Sequence, residues 1–323
     1  MKNLKDTVNI IREESLVWQK EILPPNVFDS YLQSIRRVRR PTFRVNTLKA
    51  SKQEIMTTFR QMGISVSEFA AIPGCFIANQ ATDRELLKLE ITQAGKIYLQ
   101  SISSQMPPLI LEPKPGETIL DIAAAPGSKT SQICAFMQNQ GVIDAVEPDF
   151  IRVQRLEHNL KLLGATIVNV HQSRGESFCN GVENKYDRVL VDAPCSGEGR
   201  FCVYDKSSYA AYRADDVNKF HKIQAKLLKA AMNAVKPGGT VLYSTCTLNR
   251  FENEEVLQDA LSNFNCKIVP LPKNLTTLTE ALTPISSTPT YPKLRKDISN
   301  AIRIVPSTRV EGFFLAKIIK DNV

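Results

Sequence analysis

Apolar positions over residues 1 to 40 (Val8, Ile10, Ile11, Leu16, Ile22, Leu23, Val27, Leu32, Ile35) recur at roughly helical spacing. Pro24 and Pro25 interrupt them, which predicts a lead-in of short helices. From Pro41 to Gln100 two periods alternate. FRVNT reads as a strand, KQEIMTTFRQMG as a helix closed by Gly63, ISVSEF and CFIAN as strands, DRELLKLEITQAG as a helix and KIYLQS as a strand. After Pro113 and Pro115 the short apolar runs ETILDI, GVIDAVE, ATIVNVH, DRVLVDA and GTVLYST are separated by amphipathic segments, the pattern of buried parallel strands with crossover helices. A helix over 217 to 235 is expected to stop at Lys236-Pro237-Gly238-Gly239, a tight turn into the next strand. CKIVPL and GFFLAKII read as the last strands, and the Pro-, Ser- and Thr-bearing stretch over 270 to 300 as a long surface loop.

The expected fold class is therefore α/β: a doubly wound, mostly parallel sheet over residues 101 to 323, a small α+β domain over 41 to 100, and the helical lead-in over 1 to 40. The small domain's β-α-β-β-α-β order is the split form shared by ferredoxin-like and RNA-recognition-motif (RRM-like) folds. Its third strand offers only Phe76 as an aromatic, so base stacking is not expected there. A length of 323 residues, 43% hydrophobic and 23% charged, suits one large and one small globular domain. No uncharged apolar run approaches the ~18 residues of a membrane span. The charged opening MKNLKDTVNIIREE lacks the apolar core of a secretory signal. Seven cysteines without a C-x-x-C pair argue against both a disulfide framework and a zinc site. His158, His171 and His221 show no ligand spacing and read as structural or exposed. A cytoplasmic protein without a metal is expected.

Net charge is +8, and residues 1 to 100 contribute +5 of it, with 15 Lys/Arg against 10 Asp/Glu. Arg36, Arg37, Arg39, Arg40 and Arg44 form a phosphate-binding footprint if they share one face, and otherwise a basic helix end.

In open parallel sheets ligands sit outside the carboxyl ends of the strands, so the residues just after each strand are the site candidates. Asp121 is followed by Ile122 and the small-residue run Ala123, Ala124, Ala125, Pro126, Gly127, Ser128 and Lys129, where the backbone can approach a ligand and a helix begins. Walker A and GxGxxG patterns both fail here, and the structural alternative is a tight strand-to-helix turn. The next strand ends in Glu147, placed where an acid would meet ribose hydroxyls. Asp192-Ala193-Pro194-Cys195-Ser196-Gly197 and Tyr243-Ser244-Thr245-Cys246-Thr247 follow two consecutive strands, which should set two thiols side by side at one rim. Cys75, Cys134, Cys179, Cys202 and Cys266 read as buried small hydrophobes.

DIAAAPGSKT, DRVLVDAPCSGEGRF and YSTCTLNRFENEEV resemble the cofactor loop, proline-cysteine motif and threonine-cysteine motif of the Sun/RsmB-type RNA cytosine-5 methyltransferases. RVNTLKAS, QSISSQ, the R-x-x-R-L-x-x-N segment at Arg152 to Asn159, KPGGTVLYS and RIVPSTRVEGFFLAKI agree, so the resemblance spans roughly residues 40 to 318. It implies a Rossmann-like methyltransferase domain over 101 to 323 that uses S-adenosylmethionine. It assigns cofactor contacts to Ala123 through Lys129, Glu147 and Asp192, the attack to Cys246, and a helper role to Cys195. Asp192 is further implied to stabilise charge at nitrogen 3 of the base, protonated or through a shared hydrogen bond. Cys246 would add to carbon 6 of cytosine, making carbon 5 able to accept a methyl group, and only the thiolate can do this. A positive neighbour or helix start is needed to ionise it.

Three departures from the family pattern stand out. Ser128 occupies a usual glycine position, Gln172 or Ser173 replaces an adenine-binding acid, and Glu311 stands where Asp is commoner. The expected substrate is RNA bound by a monomer, ribosomal RNA first and transfer RNA second. Two alternatives are an RNA-binding ribosome-assembly factor with a degenerate site, and a DNA cytosine methyltransferase in which Cys195 would attack.

Overall fold

The computed structural model describes Ile11, residues 16 to 271 and residues 294 to 322, apart from the side chain of Trp18. Most of the stretch expected as a surface loop, 272 to 293, lies outside the described residues, as does most of the first fifteen. Two compact units emerge. One gathers the described residues up to Arg39 with Ala193–Lys229 and Tyr243–Asp321; the other holds Arg40–Asp192 and Ala230–Leu242.

The second unit contains the small sheet. Strands β1 (Thr42–Val45), β2 (Val66–Glu68), β3 (Cys75–Ala78) and β4 (Ile97–Leu99) run in the order β2-β3-β1-β4, every pair antiparallel, as the split β-α-β arrangement requires. Helix α1 (Val17–Ile22) and α2 (Pro25–Ser34) belong to the lead-in of the first unit, and α3 (Lys52–Gln61) crosses from β1 to β2. Ser51 caps α3 by accepting from the Glu54 N–H, and Gly63 at φ +69° ends it. The second crossover is split where one helix was expected: extended Leu89 divides α4 (Asp83–Lys88) from α5 (Glu90–Gln93). Phe43 stacks on Phe59 at 5.0 Å and on Phe76 at 5.5 Å, and Phe76 is fully buried in the core of this sheet.

Helix α6 (Ile102–Leu111) escaped the sequence reading because Pro107 and Pro108 sit inside it. Ser101 caps its start, and the Ser104 carbonyl, which Pro108 cannot bond, accepts instead from the Gln100 side-chain amide at 2.9 Å.

The larger sheet comprises β5 (Thr118–Asp121), β6 (Val142–Glu147), β7 (Val168–Gln172), β8 (Tyr186–Asp192), β9 (Val235–Thr245), β10 (Cys266–Val269), β11 (Ile302–Ile304) and β12 (Phe313–Lys320). Its order is β10-β12-β9-β8-β5-β6-β7, with β11 beside β12. Pairing is parallel among β5, β6, β7 and β8 and antiparallel at β10, β11 and β12, so the sheet is mixed but mostly parallel. Helices α7 (Ser128–Phe136), α8 (Phe150–Leu163), the short α9 (Gly175–Phe178) and α10 (Asp216–Ala234) connect its strands, and α11 (Glu254–Leu261) precedes β10. The expected stop and turn at Lys236 to Gly239 is not a separate element. Helix α10 ends at Ala234, and β9 begins at Val235 and takes in that run. No helix among the described residues is long and apolar enough to cross a membrane.

In the first unit, Tyr31, Leu32 and Ile35 of the lead-in pack with Phe201, Tyr212, Leu248 and Val305 in one apolar cluster. These contacts tie the lead-in to the segments that carry the second and third motifs.

Candidate active site

Strand β5 delivers Asp121 to its carboxyl end, where the chain turns through Ala123 to Gly127 into α7. The turn is held from three sides. The Ala124 N–H donates to the Val146 carbonyl at 2.9 Å, Arg152 donates to the Ala125 carbonyl at 2.7 Å, and the Asn159 amide donates to the Pro126 carbonyl at 2.8 Å. The R-x-x-R-L-x-x-N segment is thus the clamp on this loop. Gly127 is the cap residue of α7 at φ +96°, and a β-carbon there would lie 2.8 Å from Leu156 Cδ1. The first N–H groups of α7 lack helical acceptors and suit an anion. Arg44 secures the same helix from β1, donating to Ser131 Oγ at 2.8 Å and to Gln100 at 2.9 Å, and burial pushes its guanidinium down to about 10.

The acids near this loop differ in state. Asp121 is 1% exposed, one carboxyl oxygen accepts from Thr130 at 2.7 Å, and the other has no partner; burial pushes the group up to about 7. Glu147 at the end of β6 is 1% exposed, accepts from the Asp149 N–H at 3.0 Å and pairs with Arg152 at 3.2 Å. Its registered neighbour on β7 is the exposed Gln172. Asp192 at the end of β8 pairs with Lys129 at 2.7 Å, and Lys129 also donates to Ser104 Oγ at 2.9 Å. Of the two arrangements left open for Asp192, the structure shows the partnered one. Small residues against the backbone, open N–H groups, a carboxylate and an amide fit a nucleoside-bearing amino-acid cofactor. Ser128 is the first residue of α7 and leaves the turn intact.

In the first unit Cys195 Sγ and Cys246 Sγ lie 3.3 Å apart, and both cysteines are partly exposed, whereas the other five are buried. The Ala193 N–H bonds to the Ser244 carbonyl at 2.9 Å, and the Gly199 N–H bonds to the Cys246 carbonyl at 3.0 Å, so the two turns are laced together by backbone. Cys195 is raised well above the ordinary thiol range, first by its hydrogen bond to Cys246 and then by burial. Arg200 answers the need for a positive group: its guanidinium is raised chiefly by Coulombic attraction to Cys246, with Glu311 and Cys195 contributing. Sequence reading missed Arg200, although it stands five positions after Cys195 within the quoted motif. It also missed Glu198 and Glu252, both fully buried within the motif strings.

The five arginines from 36 to 44 do not make one basic face. Arg44 is buried at 4% exposure, and the Arg39 Nε donates to the Ser307 and Val310 carbonyls at 3.2 and 3.1 Å. Arg37 and Arg40 remain exposed. His171 and His221 hold Asp144 and Asp259, each at 2.9 Å.

A mostly parallel sheet with a clamped small-residue loop and an acid ending the following strand is the Rossmann-like arrangement of an S-adenosylmethionine-dependent methyltransferase domain, the class to which the family match assigns the chain. Comparison narrows the class. A family described as 16S rRNA methyltransferase RsmB/F matches residues 108–319, and the chain belongs to it. A tRNA (cytosine(49)-C(5))-methyltransferase of Pyrococcus abyssi is 36% identical over 292 residues, covering 88% of this chain and 89% of its own length. The ribosomal RNA small subunit methyltransferase F of an Enterobacter species is 32% identical over 96% of this chain, which spans 63% of that protein. For the same enzyme of Shewanella amazonensis the chain spans 50% of the length. A solved methyltransferase homolog protein from Pyrococcus horikoshii shares the fold at a TM-score of 0.77, with 30% identity over 99% of both chains.

Proposed function

We propose that this chain methylates carbon 5 of a cytosine in RNA and that Cys246 is the covalent nucleophile. The observation that carries the reading is the 3.3 Å thiol pair on two strand-end turns in a chain of the RsmB/F family. S-adenosylmethionine, when bound, supplies a methyl group on a positively charged sulfur. Ala123 to Lys129 shape its loop, the start of α7 takes its carboxylate, Glu147 its ribose hydroxyls and Gln172 its adenine amine.

Cys246 thiolate forms a bond to carbon 6 and pushes electron density toward carbon 5 and nitrogen 3. Asp192 accepts from the exocyclic amine, and Lys129 behind it offsets the charge at nitrogen 3. Arg200 is the cation beside the attacking sulfur. Cys195 keeps its proton while Cys246 is charged. Once Cys246 is bound to the base, the hydrogen bond that most raises Cys195 is gone, so Cys195 can release its proton to solvent and act as a base. It then takes the carbon 5 proton, the ring double bond re-forms, and the Cys246 thiolate leaves.

The protein acts as a monomer, with Arg37 and Arg40 contacting RNA phosphates. Ribosomal RNA comes first as substrate because the family is described by it, and transfer RNA is assayed beside it because of the archaeal relative. The test uses labelled S-adenosylmethionine with each RNA. Wild type transfers label, Cys246→Ala does not, and Cys195→Ala accumulates a protein–RNA adduct on a denaturing gel. Transfer that survives Cys246→Ala removes the nucleophile assignment, and cofactor binding without transfer to either RNA leaves the assembly-factor alternative.

A further inference from the structure

Beside the thiols the first unit buries two carboxylates that the reaction above does not use. Glu198 begins a short turn over Glu198–Arg200, Glu252 precedes α11, and both are 0% exposed. Their hydrogen-bonding partners among the described residues are neutral: the hydroxyls of Ser196 and Thr247, the side-chain amides of Asn249 and Gln224, and the Ser196 N–H. Three contacts join a hydroxyl to a carboxylate oxygen, beside a longer one of 3.2 Å between the Ser196 and Thr247 hydroxyls. Ser196 Oγ meets Glu198 Oε2 at 2.7 Å and also meets Glu252 Oε1, and Thr247 Oγ1 meets Glu198 Oε2. Each hydroxyl brings one hydrogen, so two of these contacts can be filled and the third needs a proton from a carboxyl group.

We propose that Glu198 and Glu252 hold one proton between them, and that this shared proton keeps the turns carrying Cys195 and Cys246 together. Ser196 follows Cys195 and Thr247 follows Cys246, so each thiol turn ends on the carboxylate pair. Asn249 donates to both acids, and Gln224 donates to Glu252 and to the Pro194 carbonyl, each at 2.8 Å. Loss of the proton would set two negative charges against one hydroxyl in a buried place, and the turns would part.

Among the described residues no cation hydrogen-bonds to either carboxylate; Arg200, two residues after Glu198, is drawn first to Cys246, then to Glu311 and Cys195. Cys195 faces Glu252, Tyr31 faces Glu198, and the Tyr243 hydroxyl donates to the Glu252 backbone carbonyl at 2.6 Å. Arg303 pairs with Glu254 at 2.6 Å and Arg250 with Glu255, while the Arg39 Nε bonds two carbonyls and its guanidinium lies, like Glu198, in the field of Tyr31. Burial, then repulsion from Glu198, pushes Glu252 up to about 7, which puts loss of the proton within a usable pH range. Glu198 and Glu252 are positioning residues. The role deepens the proposed reaction and rests on Cys195 and Cys246 being its working pair.

The deciding measurement needs neither RNA nor cofactor. Phenylarsine oxide, which bridges two adjacent thiols, is titrated into wild type and Glu252→Gln across pH; the amide imitates the protonated acid but cannot lose its proton. The two proteins should bind the arsenical alike at about pH 6, and wild type should bind roughly tenfold more weakly than the variant at about pH 8.5. The alkaline fall of methyl transfer should likewise be present in wild type and absent in Glu252→Gln. Superimposable arsenical curves overturn the proposal, as does loss of capture by a variant with unchanged circular dichroism. Should the variant fail to fold, infrared spectra of wild type carrying carboxyl-labelled glutamate decide: a labelled acid carbonyl band that vanishes as pH rises supports the shared proton, and its absence refutes it. RNA methylation can fail while the arsenical result holds, so the two readings fall separately.

Discussion

Replacing Gly127 by Ala probes the turn on which the cofactor loop depends. The residue sits at φ +96° and ψ 8°, a left-handed conformation that costs an L side chain about 1 to 2 kcal/mol. A β-carbon would also approach Leu156 Cδ1 to 2.8 Å, and Leu156 is fully buried in a cluster with Ala124, Ala125, Ala145 and Leu160. Forcing that side chain aside adds the strain of an overpacked core, about 1 to 3 kcal/mol. The combined loss should be roughly 2 to 4 kcal/mol, read from the urea midpoint at constant slope. Leu156→Ala removes the obstructing methyl group, so the double variant should be more stable than the sum of the single losses predicts, by about 1 kcal/mol or more. S-adenosylmethionine affinity by calorimetry should fall in Gly127→Ala and stay low in the double variant, because the backbone strain remains. A loss under about 0.5 kcal/mol, or strict additivity in the cycle, would falsify the claim that this turn excludes a side chain.

Two further perturbations test the electrostatics of the interior. Asp121 is raised by burial from 3.8 to about 7, so its folded form holds a proton more tightly than the unfolded chain does. The resulting stabilisation is complete below the unfolded value and is lost as pH rises through about 7, a change of up to about 4 kcal/mol; urea midpoints of wild type should show this decline between pH 4 and 7 and those of Asp121→Asn should not. Arg303 is 1% exposed, paired with Glu254 at 2.6 Å and bonded to the Leu248 carbonyl at 3.0 Å. Arg303→Met strands the carboxylate and should cost about 3 to 5 kcal/mol, whereas Arg303→Met with Glu254→Gln should recover part of it; no recovery would mean the loss is one of packing.

Strand positions other than β11, both sheets and the adjacency of the thiols were legible because period-two apolar runs and small-residue turns are local signals. Two kinds of feature were not. Helix α6 carries Pro107 and Pro108, which argue against a helix on local grounds, and it persists because the Gln100 amide takes up a freed carbonyl. The row of arginines looked like one surface because charge along the chain does not reveal burial; Arg44 turns inward to Ser131, Gln100 and the Tyr98 ring. Glu198 and Glu252 were hidden for a related reason. They stand 54 positions apart in charged stretches, and only the fold shows that they share the Ser196 hydroxyl.

The surroundings of the two thiols favour Cys246 over Cys195 as the attacking sulfur of the proposed reaction. A nucleophile in the proline-cysteine motif would be Cys195, as in the DNA enzymes, yet that thiol is held protonated by its bond to Cys246, by burial and by the charge of Glu252. The cation stands at the other sulfur: Arg200 answers to Cys246 before Glu311 or Cys195. A limiting amount of iodoacetamide at neutral pH should label Cys246 ahead of Cys195, as located by peptide mass. Arg200→Met, which removes the cation beside Cys246, should slow that labelling by roughly tenfold. Labelling of Cys195 first, in wild type, would hand the attack to the proline-cysteine motif and leave Cys246 as its partner.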